Sequence, residues 1–335
     1  MRAAVWEEPG RLAIAERPDP EPGPGEIVVR VAACGMCGTD LHIAAGEFPP
    51  TPYPIVPGHE FAGEVAAVGD GVEDLREGEL VAVDPSLFCG HCEFCRIQRG
   101  NLCRNWGAIG DTVDGAFAEL VKTPARNAYR LPEGIDGRAG ALVEPISCAV
   151  HGMRRLAPEP GEAMLITGAG TMGLILLQLA RRDGAARVVV VDRNTERLER
   201  ARALGASAVH ESVADAREEV ELGFDSVIDA TGAAPVIEQG LEAVRRGGKL
   251  MVFGVASEEA RVPISPFRVY NDEITVLGSM AVLYTFQPAV KLLHAGVVDA
   301  QALLTHAFGL DEFEEALETM RRGEGVKVQV LPNGG

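Results

Sequence analysis

The sequence predicts two units of different class: a mostly β unit, and an α/β unit built on a doubly wound parallel sheet. Three observations carry that expectation. At 335 residues the chain is long for a single core. Residues 1–145 are rich in Gly, Pro and short β-type runs. From about residue 158 onward, short apolar runs alternate with helical stretches, the pattern of strands covered by helices on both faces.

In the first unit the β-type runs fall at 27–31, 63–68 and 80–83, separated by turn signals such as Pro22-Gly23-Pro24-Gly25 and Gly69-Asp70-Gly71. The texture changes at Pro158-Glu159-Pro160-Gly161. Beyond it, strands are predicted at 163–167, 187–192, 225–229, 249–253 and 274–277, and helices at 172–182, 195–204 and 234–245. After Gly278 the alternation stops. Helical stretches near 288–295 and 310–321 follow, and then a β-type tail at 326–331.

Composition narrows the partners. Apolar residues at 47% with 24% charged indicate a soluble globular protein. The excess of 49 acidic over 31 basic residues gives a formal charge of −18, which repels nucleic acid and anionic membranes. The most apolar stretch, 163–180, is interrupted by three glycines and reads as strand, turn and helix, not as a membrane span. The start shows no secretory pattern. With an odd seven cysteines, that predicts a reducing, cytoplasmic setting over a disulfide framework.

Four of those cysteines form one pattern. Cys89, Cys92 and Cys95 recur at intervals of three, and Cys103 follows eight residues later. Four thiolates at this spacing suit one tetrahedral zinc with a closed shell, a structural role. Disulfides or an iron–sulfur cluster are the alternatives.

The segment from Met164 to Gly173 carries Gly168-Ala169-Gly170-Thr171-Met172-Gly173 directly after an apolar run and before a helical one. This G-x-G-x-x-G pattern lets Gly168 make a tight turn, Gly170 admit a pyrophosphate and Gly173 pack helix on strand, with the helix N-terminus drawing the phosphate charge. Thr171 and Met172 open that helix. Asp192 closes the next strand, where a carboxylate accepts hydrogen bonds from both ribose hydroxyls of NAD and repels a 2′-phosphate. Arg193 could instead help hold a 2′-phosphate, so NAD is favoured over NADP. Arg197 either stacks on the adenine or lies on a solvated helix face.

Cys37-Gly38-Thr39-Asp40-Leu41-His42 and Gly58-His59-Glu60 lie in the β-type unit. Cys37, His59 and Glu60 offer sulfur, nitrogen and oxygen donors, a set that suits zinc with an open position. At this point four independent motifs, in this order along the whole chain, resemble the zinc-dependent medium-chain dehydrogenases/reductases. Residues 141–151, Ala-Leu-Val-Glu-Pro-Ile-Ser-Cys-Ala-Val-His, are similar to the sorbitol (polyol) dehydrogenase branch. Glu144 there stands where the family's alcohol dehydrogenases carry a cysteine ligand.

The resemblance implies a GroES-like β-rich catalytic domain over 1–148 and 281–335, with a structural zinc lobe at about 86–106, and a Rossmann NAD-binding domain over 149–280. It implies two zinc ions per chain. Cys37 and His59 hold the catalytic one, and Glu60 and Glu144 complete or approach its shell. The implied reaction is reversible oxidation of a secondary alcohol, a polyol or sugar alcohol, to a ketone, with hydride passing to NAD. Thr39 would bond the substrate oxygen and relay its proton through the cofactor ribose to His42, unless Glu144 takes it. Lys327 would reach the cofactor pyrophosphate. Cys34 and Cys148 are assigned to packing. Phe48, Tyr53, Trp106 and Phe117 are pocket walls or ordinary core aromatics.

Two departures bear on the substrate. Residues 278–286 lack the arginine of the arginine–aromatic pair that sorbitol dehydrogenases place on polyol hydroxyls. Cys37 to Ile43 also fits threonine dehydrogenases, whereas Glu144 favours the polyol branch. An amino-alcohol or cyclitol dehydrogenase is the alternative within the class, and a non-catalytic NAD(P)-binding protein the alternative outside it. The partners expected are a small-molecule alcohol or ketone and further copies of the chain, as dimer or tetramer, with no nucleic acid and no membrane.

Overall fold

A computed structural model of the chain describes every residue except Pro49, Pro50 and Gly335. It divides into two compact units. One comprises Met1–Ser147, Val282–Gly296 and Leu303–Gly335; the other comprises Cys148–Ala281 and Val297–Ala302. A short segment at 297–302 thus belongs to the second unit, which periodicity gives no means of seeing.

The second unit is organised by a six-stranded sheet whose neighbours all pair in parallel. Across the sheet the strands run Ala208–His210, Arg187–Val191, Ala163–Thr167, Phe224–Asp229, Val244–Val252 and Thr275–Gly278. In chain order this is 3-2-1-4-5-6, the doubly wound arrangement. Its order reverses between Ala163–Thr167 and Phe224–Asp229, so the loop after Thr167 sits where such sheets take their ligands. Val188 to Val191 form an unbroken apolar run because helices cover both faces, and Leu165, Val189, Val227 and Leu250 form its core.

Periodicity does not resolve everything here. The strand Ala208–His210 and the helix Val213–Arg217 are too short to show a period, although Ser212 caps that helix through the Asp215 N–H. The helix expected to reach 245 ends at Ala243, and the strand Val244–Val252 begins at once. Gly248 explains the irregular pairing there: a Cβ would stand 2.9 Å from the Asp225 carbonyl oxygen of the neighbouring strand.

The first unit is built on a seven-stranded sheet. Its path runs Leu304–Gly309, Lys327–Leu331, Glu26–Gly35, Glu60–Val68, Leu80–Val83 and Ala128–Arg130, with Leu120–Pro124 paired to Glu26–Gly35. Register places Gly35 opposite both Glu60 and Gln329. Those three adjoining strands therefore bring Glu60, Gly35 and the start of Lys327–Leu331 to one place. Beneath them Val29, Val31, Phe61, Phe117 and Phe313 are buried, with the last two rings edge to face at 4.9 Å. Phe117 belongs to this core, and Phe48 and Tyr53 pack against it, Tyr53 donating its hydroxyl to the Ile43 carbonyl.

Candidate metal centres and nucleotide site

Among the described residues, two groups are arranged to hold a metal ion: Cys89, Cys92, Cys95 and Cys103, and Cys37, His59 and Glu60. The four-cysteine lobe has the dimensions of a tetrahedral zinc site. Its Sγ–Sγ separations are 3.5 Å for Cys103–Cys89, 3.6 Å for Cys92–Cys95, 3.9 Å for Cys92–Cys103 and 4.0 Å for Cys89–Cys95. A tetrahedron with zinc–sulfur distances of about 2.3 Å has edges of about 3.8 Å. None of the four is joined in a disulfide. Backbone N–H groups of Cys89, Cys92 and Asn105 donate to the sulfurs, favouring thiolate. The N–H groups of Cys95 and Arg104 draw the Cys92 thiol down to about 6.

The second group is open. Cys37 caps the helix Gly38–Ala45, and Asp40 in its first turn accepts the Cys37 N–H at 2.8 Å. His59 and Glu60 stand where the strand Glu60–Val68 begins, after Gly58 at φ +102°. A Cβ on Gly58 would lie 2.8 Å from both Cys34 Sγ and a Phe117 ring atom, so glycine is required there for space and for conformation. The donor atoms of Cys37, His59 and Glu60 all lie within 4.8 Å of one another. A sulfur, a nitrogen and an oxygen at that spacing fit zinc with a remaining position.

Electrostatics favours a cation here. His59 Nδ1 is 3.1 Å from Asp111 Oδ1, both side chains buried. Burial alone would lower the His59 pKa, but Asp111 and then Cys37 outweigh it and hold it well above the usual histidine value. Burial lifts the Asp40 carboxyl to about 7 against the pull of His59, and Asp111 and Glu60 add to the rise. Several acidic groups thus crowd one buried place.

Thr39 Oγ1 lies 3.8 Å from Cys37 Sγ. His42 is at the surface, its Nδ1 3.0 Å from Glu47 Oε2. Glu144 is buried but does not join the three converging donors; its charge is felt at Lys327. Lys327 has partners that the sequence did not suggest. Its side chain is 3% exposed, with the ammonium 2.5 Å from Glu60 Oε2 and 2.8 Å from the Met36 carbonyl oxygen. Burial would lower the Lys327 pKa, but Glu60 and Cys37 keep it above the usual lysine range. Gly35 makes room for the pair, since a Cβ there would stand 2.3 Å from Glu60 Oε2. Asp111 went unseen in the sequence because no motif surrounds it.

The glycine loop follows the strand Ala163–Thr167 as expected. Gly168 has φ +96°, and a Cβ on Gly173 would lie 1.7 Å from the Gly168 carbonyl oxygen. At Gly170 the nearest atom to such a Cβ is Arg197 Nη1 at 4.0 Å, so the mouth of the loop has room for a phosphate and a guanidinium at its rim. Thr171 and Met172 begin the helix Thr171–Arg182, with Gly170 at its N-cap. Asp192 accepts the Ala169 N–H at 2.6 Å and the Asn194 N–H at 2.8 Å, tying the loop to the adjacent strand end. Arg193 is exposed.

Comparison with known proteins agrees with both halves. Residues 23–133 match the alcohol dehydrogenase GroES-like domain, and residues 171–295 match the zinc-binding dehydrogenase domain. The chain is 37% identical to D-arabinitol dehydrogenase 1 of Uromyces fabae, over 99% of this chain and 97% of that protein. It is 34% identical to sorbitol dehydrogenase of Homo sapiens, over 96% and 93%. Among solved structures it is similar to one described as a zinc-binding dehydrogenase from Sinorhizobium meliloti 1021 bound to NADP, with TM-score 0.94, 35% identity and 99% of each chain covered. It is also similar to an Escherichia coli CFT073 alcohol dehydrogenase (rspB) complexed with NADH, with TM-score 0.92, 30% identity and 99% of each chain covered. The chain belongs to the zinc-dependent medium-chain dehydrogenases/reductases, oxidoreductases that act on CH–OH groups with a nicotinamide cofactor.

Proposed function

We propose that this protein reversibly oxidises a polyol or other sugar-derived secondary alcohol to the ketone, with hydride passing to NAD. The observation that carries this is the open Cys37, His59 and Glu60 set in a chain that also keeps Glu144 and the glycine loop. The arabinitol- and sorbitol-specific relatives support the substrate class.

Cys37 and His59 would hold one zinc and the four cysteines a second. Bound in the open site, zinc supplies Lewis acidity to an alcohol oxygen. Lys327 neutralises Glu60 and keeps that carboxylate in place beside Cys37 and His59, which would hold the ion. Thr39 is close enough to Cys37 to hydrogen-bond a substrate oxygen held beside it. His42, at the surface beside Glu47, can exchange a proton with solvent. Each Asp192 oxygen already accepts one backbone N–H and retains a lone pair for a ribose hydroxyl, which supports NAD over NADP.

The strand Thr275–Gly278 ends its sheet with Val276 exposed, and Phe267 and Tyr270 nearby in sequence are exposed too, which supports pairing of two copies through that edge. Among the described residues no helix is long and apolar enough to cross a membrane, and the odd cysteine count supports a reducing cytoplasm.

NADH formation with a panel of polyols, cyclitols and amino-alcohols, run with NAD and with NADP, tests this. The expected result is turnover of polyols with NAD, lost on chelation and restored by zinc. Full activity after verified removal of zinc, or turnover of amino-alcohols alone, would overturn it.

A further inference from the structure

We infer that Asp111 is a positioning residue for the open metal site: its carboxylate fixes the His59 ring so that Nε2 faces Cys37 and the metal. This rests on the zinc site proposed for Cys37, His59 and Glu60. Asp111 Oδ1 stands 3.1 Å from His59 Nδ1, and the two side chains are 8% and 9% exposed. Neither atom has another hydrogen-bond partner, and their alignment falls short of a hydrogen bond, so the contact is a close buried charge against the ring. A carboxylate that close to Nδ1 favours a proton on that nitrogen, which would leave the Nε2 lone pair for a metal.

The backbone explains why the contact is rigid. The turn carrying Asp111 is closed by the Asp111 and Thr112 N–H groups on the Ala108 carbonyl and by the Gly110 N–H on Val113. It is stitched to the segment that immediately precedes His59. Gly115 donates to the Val56 carbonyl at 2.7 Å, Ala116 to Gly58 at 2.9 Å and Phe117 to Pro57 at 3.0 Å, while the Val56 N–H donates to Asp114 Oδ1 at 2.9 Å. Gly110 and Gly58 meet so closely that a Cβ on Gly110 would stand 2.3 Å from the Gly58 carbonyl oxygen. Asp111 and His59 are therefore carried on two segments that move as one.

The other buried carboxylate close by, Asp40, has one oxygen committed to the Cys37 N–H. It orients the thiolate end of the site, and Asp111 orients the imidazole end. Nothing in the motifs around Cys37 or His59 calls for an acid at position 111, which lies 52 residues beyond His59.

The test is zinc affinity at the open site, measured on the intact protein by competition with a chromophoric chelator, with the four-cysteine zinc as internal reference. Asp111→Asn keeps the shape and removes the charge; Asp111→Ala removes both; Asp111→Glu should restore part of the loss. The expected result is affinity lower by about 10- to 100-fold for Asn and Ala, with the reference zinc unchanged. The visible spectrum of the Co(II)-loaded protein should shift in the same variants. Unchanged affinity and an unchanged cobalt spectrum in folded Asp111→Asn would overturn the inference. Wild-type protein that binds zinc only at the four cysteines would instead overturn the zinc site on which it rests.

Discussion

Replacing Lys327 with methionine tests whether the buried pair with Glu60 is structural to the open site. Both side chains are 3% exposed, and the ammonium serves two acceptors, Glu60 Oε2 at 2.5 Å and the Met36 carbonyl at 2.8 Å. Methionine keeps most of the apolar stem and removes the charge. The carboxylate is then buried with no cation, and Gly35 packs its strand against it without offering a polar side chain. Breaking a buried pair this way costs about 3–5 kcal/mol, because one charge is left uncompensated. For a unit of this size that corresponds to a fall in melting temperature of about 6–20 °C. The chain's two tryptophans, Trp6 and Trp106, both lie in the first unit, so their fluorescence follows its unfolding separately from the nucleotide-binding unit. The assay is urea denaturation of Lys327→Met, Glu60→Gln and the double variant, after dialysis against a chelator that leaves the four-cysteine lobe loaded. The double variant should recover more than half of the loss, since a neutral amide needs no counter-charge. A cost below about 1 kcal/mol for Lys327→Met, or no recovery in the double variant, would refute the reasoning.

Three further outcomes follow from the same structure. Gly173→Ala forces a Cβ to 1.7 Å from the Gly168 carbonyl oxygen, so helix and loop must separate; calorimetric titration should find nucleotide binding abolished or weakened at least about tenfold. Asp192→Asn removes the charge while keeping an acceptor, and should weaken NAD and strengthen NADP, visible as a change in the ratio of their kcat/KM values; an unchanged ratio would remove Asp192 from cofactor selection. Burial raises the Asp84 carboxyl above its ordinary 3.8 despite the Ser86 N–H. The folded state thus holds that proton more tightly than the unfolded chain, and stability falls as pH rises from about 4 through the folded value. Asp84→Asn should be the more stable protein at neutral pH and equal to wild type near pH 4, by urea midpoints at the two pH values.

Much of this site was legible in the sequence because spacing and chemistry coincide. The cysteine lobe announces itself, since four thiols at 89, 92, 95 and 103 can close a tetrahedron within one short loop. The glycine loop is equally local: a strand, three glycines and a helix follow in order, and Asp192 lies one strand away. What the sequence hides is what strand pairing assembles. Lys327 reaches Glu60 only because Lys327–Leu331 lies beside Glu26–Gly35, which in turn faces Glu60–Val68. Asp111 reaches His59 through a turn whose glycines are needed for contact with Gly58. The missed strand Ala208–His210 has three residues, too few for a period, and Val244–Val252 starts early because Val244 already pairs with Phe224 of the neighbouring strand.

The most direct test of the account is zinc per chain together with alcohol-dependent NADH formation, measured on the same samples of wild type and His59→Ala. The prediction is two zinc ions and turnover for wild type, and one zinc ion with no turnover for the variant, which still binds NAD. A variant that keeps both its second zinc and its turnover would contradict the assignment of Cys37, His59 and Glu60 as the working metal site.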